Sequence, residues 1–203
     1  MQCLPANKGN LKIPQYIEGM IDLASGILLI SDPFLKDPNF KRTVVLLCEH
    51  NETSGSFGLV INRTVAQTLD QLMNDLDGYT VPVYYGGPVQ LDTLHFLHQQ
   101  PNEIPGGQEI TKDLFWGGDF EIVLTLLKRG LLDLDKIRFY LGYSGWGNGQ
   151  LNEELKEKSW LTVKASNQLV FQKDTDLIWK EALKTMGGEY TQLMNYPIDP
   201  QLN

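Results

Sequence analysis

Two runs of consecutive apolar residues, Ile27 to Ile30 and Val44 to Cys48, depart from the alternation of a half-exposed strand. Strands covered on both faces read this way, so both belong in the centre of a sheet. Asn51 to Ser56, NETSGS, is six residues of turn formers between Val44–His50 and Phe57–Asn62, which predicts an antiparallel hairpin. Helical periodicity is clear twice. Asp119 is a good N-cap, Ile122, Val123, Leu126 and Leu127 form one face, and Gly130 ends the helix. From Asp174 to Met186 the apolar face is Ile178, Trp179, Ala182, Leu183 and Met186, with Gly187 as the stop. Thr68 to Leu76, with Thr68 and Gln71 as a capping box, and Gln150 to Glu157 are weaker helices. Further strands are predicted near Val83–Tyr85, Leu94–His98, Ile137–Tyr143 and Trp160–Ala165. A run of strands followed by alternating elements argues α+β with a mixed sheet, not a doubly wound parallel one.

Composition narrows the picture. A chain of 203 residues without an obvious linker fits one domain, here residues 20 to 203, large enough to bury about 70% of its unfolded surface. Residues 1 to 19 read as an N-terminal extension, loose at its start, with Leu11, Ile13, Tyr16 and Ile17 available to dock on the body. Cys3 and Cys48 fall in no CxxC or Cys/His spacing, which suits a reduced, cytoplasmic setting, and no apolar run approaches the length of a membrane span. Seventeen basic against twenty-five acidic residues give a net charge of -8, the wrong sign for a phosphate-backbone binder. The basic residues are also dispersed, so nucleic acid is not an expected partner.

Several constellations carry chemistry. Glu49-His50 places a carboxylate beside an imidazole at the mouth of the hairpin. Arg42, Asn62 and Arg63 form a second polar group, but seven strand residues at about 3.3 Å each put it roughly 23 Å away. Without a ligand, a strand-end Glu and His bind turn amides, while the arginines pair with carboxylates or cap helix ends. Ser144 is no nucleophile elbow, because Trp146 occupies the place of the second glycine, and Gly142 to Gly149 is no Walker loop, because Asn148-Gly149 follow where Lys-Ser/Thr is needed. The segment Tyr143 to Gln150 reads instead as a glycine turn before a helix, with accessible backbone amides, Trp146 as a partly exposed anchor, and Gly147 and Gln150 at the helix start. Gly86, Gly87 and Pro88 form a second such turn. His50, His95 and His98 do not converge, since positions i and i+3 on a strand face opposite ways, and no HExxH or acidic loop is present; neither a metal nor another cofactor is expected.

Four stretches together resemble the bacterial AlgH/YqgE family over roughly residues 24 to 186. They are Gly26 to Arg63, Gly86-Gly87-Pro88-Val89 with Asp92, the His98 that ends LHFLH, and GYSGWGNGQL from Gly142 to Leu151. The resemblance implies a branched or barrel-like sheet surrounded by helices, a cytoplasmic protein of undefined function, and an older label of transcriptional regulator. The family's pattern resembles GYAGWGxGQL, with alanine in the place of Ser144. After GGPV it resembles Q-x-D-R-G, where this chain has Gln90-Leu91-Asp92-Thr93-Leu94. After GQL the usual glutamate is Asn152 here. Two functional readings stay open. One is a non-catalytic regulatory protein, a monomer or weak homo-oligomer, that binds a small molecule or protein through the Gly86–Val89 and Tyr143–Gln150 turns. The other is a hydrolytic or related enzyme using Glu49 or His50 as acid or base.

Overall fold

A computed structural model describes residues 22–76, 78–188 and 190–196. The extension read in residues 1 to 19 lies outside them. In chain order the described residues form β1 (Ile27–Ser31), β2 (Val44–Asn51), β3 (Gly55–Val60), β4 (Thr64–Thr68), α1 (Leu69–Leu72), β5 (Pro82–Tyr85), β6 (Val89–His98), β7 (Gln108–Thr111), β8 (Leu114–Trp116), α2 (Phe120–Lys128), β9 (Ile137–Trp146), α3 (Gln150–Lys156), β10 (Trp160–Lys164), α4 (Asn167–Val170), α5 (Thr175–Met186) and α6 (Tyr190–Leu193).

The strands make one mixed sheet in the order β10-β1-β2-β3-β9-β6-β8-β7, and β4 and β5 branch from it at β9. Every pair is antiparallel except β5 with β9. The α+β class and the branched sheet are therefore as expected. Among the described residues no strand ladder closes the sheet, yet its ends approach one another. Ser25 Oγ donates to the Ile110 carbonyl (3.2 Å), and Asn167 on α4 donates to the Lys112 carbonyl (3.1 Å) beyond β7. The sheet thus curls toward a barrel.

Burial follows the apolar pattern. β1 is buried along its whole length and β2 from Val44 to Cys48, so both faces of each carry core. Leu28, Ile30, Val44 and Leu46 face one core, which α5 covers with Ile178, Trp179, Ala182 and Leu183. Each of the Leu, Ile and Val side chains among these contributes about 1.5–3 kcal/mol by leaving water. Ile27, Leu29, Val45 and Leu47 face the other way, against Trp146, Leu151 and Trp160. A third core lies where Val123 and Leu127 of α2 pack on Phe96, Ile137 and Phe139. The Asp119 carboxylate caps α2 by accepting from Ile122 N (3.1 Å), and Asp174 caps α5 through Asp176 N (3.1 Å).

β9 holds the branch together. Its middle pairs with β5 and β6, and its last three residues, Ser144 to Trp146, pair with Gly58, Phe57 and Ser56 of β3. The change of partner falls at Gly142, whose φ of +68° favours glycine. Gly86 and Gly87 cross β9 there at backbone contact. A Cβ on Gly86 would lie 2.1 Å from the Gly142 carbonyl oxygen, and one on Gly87 would lie 2.2 Å from the Tyr143 carbonyl. The crossing is fastened by Gly86 N donating to Leu141 O (2.9 Å), while the Gly86 carbonyl accepts from Val60 N (2.8 Å) and Ser144 Oγ (3.2 Å).

Some expectations need correction. The hairpin loop is Glu52 to Ser54, three residues and not six. The Asn51 side chain accepts from Thr53 N and Ser54 N and folds the loop tightly, so both strands extend further. The helix expected over Thr68 to Leu76 is confined to Leu69–Leu72, because Met73 is extended (φ -135°, ψ 113°) and the chain then turns, with Leu76 N donating to the Met73 carbonyl (3.2 Å). β7 and β8 were not foreseen. Their connection is Lys112-Asp113, with Asp113 at φ +61°, and not the Asn-Gly or Asp-Gly that marks such turns.

His98, at the end of β6, is buried and fully committed. Its Nδ1 accepts from Gln100 N (3.2 Å), so Nε2 carries the proton and donates to the Gly117 carbonyl (3.1 Å). Burial lowers the pKa of both His98 and His95.

Two predictions follow from this packing. Gly87→Ala destabilises the fold by about 2–4 kcal/mol in urea denaturation, since the Cβ has only backbone to displace. Gly147→Ala, whose Cβ meets only the Gln150 side chain at 3.9 Å, changes stability by no more than about 0.5 kcal/mol. The histidines set a pH dependence. With folded-state pKa values below those of the unfolded chain, stability is complete above about pH 6.5 and falls as pH drops through that value, because the unfolded state takes up protons first. Replacing His98 by Gln, which retains an N–H donor, should flatten the loss between about pH 7 and pH 5 measured by denaturant titration.

Candidate ligand cleft

A bulge builds the site. β2 and β3 run in plain register from Val45↔Val60 to Leu47↔Gly58, then slip so that Glu49 faces Phe57 and His50 faces Ser56, with Cys48 as the extra residue. A bulge re-aims every side chain beyond it. Leu46 and Cys48 face the α5 core, and the slip turns Glu49 to the same side as Phe57, while His50 joins Ser56 on the side of Trp146. The His50 Nδ1 is 2.8 Å from Ser56 Oγ.

An open cleft of about 900 Å³ lies at this end of the curled sheet. Its walls are the hairpin end (Cys48 to Asn51 and Ser54 to Phe57), the end of β9 with Tyr143, Gly145 and Trp146, the residues Leu23 to Ser25 that lead into β1, Val89 of β6 and Gln108 of β7. The Phe57 ring sits 4.9 Å from Tyr143, 4.6 Å from Trp116 and 5.2 Å from His95, so the aromatic floor is braced from behind. Burial holds the His95 imidazole toward its neutral form and pushes the Cys48 thiol up, so the sulfur beneath the cleft is kept as an unreactive thiol.

Glu49, His50, Tyr143 and Trp146 are thus brought to one cleft, although about a hundred residues separate the two segments. The other candidates are elsewhere. Gly86, Gly87 and Pro88 do not line the cleft; the two glycines serve the β9 crossing. Tyr143 to Trp146 is strand and not turn, because β3 supplies a backbone partner as far as Ser56; only Gly147 to Gly149 turns. Trp146 therefore lands on the buried face, 5% exposed, and is no surface anchor. Its indole N–H donates to Glu154 (2.9 Å), as does that of Trp160 (2.8 Å), and Gln150 Nε2 donates to the other oxygen of the same carboxylate (2.9 Å). Gln150 also accepts from Gly147 N (3.0 Å), so Gly147 and Gln150 close the helix start internally.

Arg42, Asn62 and Arg63 lie at the opposite end of the hairpin. Asn62 bridges the strand entrance, accepting from Val44 N (2.8 Å) and donating to the Arg42 carbonyl (2.9 Å). Arg63 donates to the Lys41 and Pro38 carbonyls (2.9 and 3.2 Å), and Arg42 donates to the Tyr196 carbonyl and stacks 5.0 Å over Trp179. Backbone carbonyls take the place of the expected carboxylates. Among the described residues no group of three or more His, Cys, Asp and Glu is placed to hold a metal, and no helix is long and apolar enough to cross a membrane. Phe57, Ser56 and Gln108 escaped the sequence reading. A shorter loop would have put Ser56 opposite His50, whereas Gln108 sits on a strand without a recognisable turn.

The AlgH-like family model matches residues 28–191. A UPF0301 protein of Cytophaga hutchinsonii is 44% identical over 182 residues, covering 89% of this chain and 100% of the relative. A UPF0301 protein of Chlorobaculum tepidum is 41% identical over 181 residues, 89% of this chain and 96% of its own. Among solved structures, the AlgH protein from Pseudomonas aeruginosa aligns with a TM-score of 0.69 at 31% identity, covering 85% of this chain and 94% of that one. A Corynebacterium diphtheriae protein aligns at 0.74 with 17% identity, over 87% and 94% of the two chains, a likeness of fold alone. This chain belongs to the AlgH-like family.

Proposed function

We propose that this chain is a non-catalytic binding protein that acts as a regulator through whatever occupies the cleft at the end of the curled sheet. One observation carries the reading: residues of the β2–β3 hairpin and of β9, remote in sequence, line a single open cleft large enough for a small molecule. Glu49 and His50 take opposite sides of the strand past the bulge, so neither serves the other as a proton partner, and the buried Cys48 offers no nucleophile. With no Lys or Arg among the described residues of the cleft and a net charge of -8, regulation runs through a cytoplasmic ligand or protein and not through contact with DNA.

A second reading has its own support. The 2.8 Å contact between His50 Nδ1 and Ser56 Oγ has the spacing of a general base and the hydroxyl it activates, at the rim of the same cleft. An ester hydrolase built on this pair loses turnover of p-nitrophenyl acetate in both Ser56→Ala and His50→Ala.

The binding reading is tested by an amide-resolved NMR screen of a metabolite library. Hits are expected to shift Glu49, Phe57, Tyr143 and Gly145 together, and Tyr143→Ala to weaken them by about tenfold, the loss of one stacking surface. Ser144→Ala should leave binding unchanged, since the Gly86 carbonyl retains Val60 N. Ligand shifts confined to the Gly86 turn or to the arginine end would defeat the assignment. Labelled duplex DNA at about 150 mM salt is expected to show no submicromolar, salt-sensitive binding.

A further inference from the structure

The row across the sheet at the bulge is Glu49 on β2, Phe57 on β3 and Gly145 on β9, all directed to one side. Tyr143, two residues before Gly145, faces the same way, and its ring occupies the room that glycine leaves: a Cβ at Gly145 would lie 3.1 Å from Tyr143 Cε2. The result is a carboxylate at one end of a floor made by two tilted rings, 4.9 Å apart at 37°. Glu49 is exposed, and its carboxylate forms neither a hydrogen bond nor an ion pair with another described residue. Among the described residues it is the sole acidic side chain that lines the cleft, and no described Lys or Arg lines it.

Resting on the binding role assigned to this cleft, we infer that its ligand is a small organic cation whose ammonium group sits over the Phe57 and Tyr143 rings and is countered by the Glu49 carboxylate. Aromatic faces carry partial negative charge and attract a cation within about 6 Å of the ring centre. Trp116 and His95 back the Phe57 ring at 4.6 and 5.2 Å, so the floor is set before the ligand arrives. Burial keeps His95 from adding a competing positive charge. The acidity of the whole chain raises the local concentration of cations and opposes anions. An anionic metabolite would meet one carboxylate and no cationic side chain among the described residues of the cleft.

Choline, its neutral isostere 3,3-dimethylbutan-1-ol, and acetate are titrated into the full chain at matched ionic strength, with amide shifts of Phe57, Tyr143 and Gly145 as the readout. Choline is expected to bind about tenfold more tightly than the isostere, and acetate not to bind. Glu49→Gln, an exposed change that spares the fold, should remove most of the advantage of choline while leaving the weak binding of the isostere intact. Phe57→Leu should weaken choline further. Equal affinity for choline and the isostere, or an unchanged preference in Glu49→Gln, overturns the cation assignment and leaves a cleft that binds neutral ligands. If none of the three compounds moves the cleft resonances while other metabolites do, the cation assignment again falls and the binding role stands. If no ligand of any class moves them, both fall.

Discussion

Backbone contact at the crossing of β9 with the Gly86-Gly87 turn is the constraint on which the rest of the fold depends. β9 cannot pair with β5 and β3 along the same edge at the same residue, so it must exchange one for the other within a single step. Gly142 makes the step with a positive φ, and Gly86 and Gly87 let the second backbone pass where any side chain would collide. Before the crossing, Phe139 and Leu141 look toward the α2 core; Tyr140 looks toward the α5 core; after it, Trp146 reaches the outer face against Trp160. One strand thereby contributes to all three cores. The glycine motif is explained by this geometry, and it needs no ligand.

The cleft is a consequence of the same arrangement. Because β9 turns from β5 to β3, its last residues lie beside the β2–β3 hairpin at the end of the curled sheet. That end is left without a covering helix among the described residues. The bulge at Cys48 then decides what the opening presents. In plain alternation from Leu47, Glu49 would lie on the side of Trp146 and His50 over the aromatic floor. The slip exchanges them, so a carboxylate adjoins Phe57 and the imidazole pairs with Ser56 at the rim. Bulges concentrate at such sheet ends because one inserted residue reorients side chains without disturbing the core behind.

What the sequence made legible follows where local signals agreed. The continuous apolar runs identified β1 and β2 as interior strands paired on both edges, although β1 lies next to the edge strand β10 and not at the sheet centre, and the capped amphipathic patterns gave α2 and α5 nearly to the residue. The AlgH-like motifs gave the family. The misses share a cause, which is pairing between distant segments. Tyr143 to Trp146 looks like a turn on its glycines alone and becomes strand only because β3 lies beside it. β4 has an exposed, irregular pattern and exists because β5 offers an edge. Phe57 reads as an ordinary hairpin residue until Trp116, His95 and Tyr143 converge on it from three other strands. Neither glycine count nor periodicity reports such convergence.

The two ends of the hairpin also differ in how completely their polar groups are used, and this difference separates structure from site. At the arginine end each charged head reaches backbone carbonyls, and Asn62 satisfies both a donor and an acceptor across the strand entrance. Of the side-chain donors there, Arg42 Nε is buried and has no partner among the described residues. Glu154 is committed too, with two indole N–H groups and Gln150 on one carboxylate. At the cleft end, the Glu49 carboxylate has no hydrogen bond or ion pair among the described residues, beside an ordered aromatic floor, and Asn51 folds the hairpin loop tightly. Polar residues that complete one another make the frame rigid, and an exposed carboxylate without a partner among the described residues is positioned to meet a ligand.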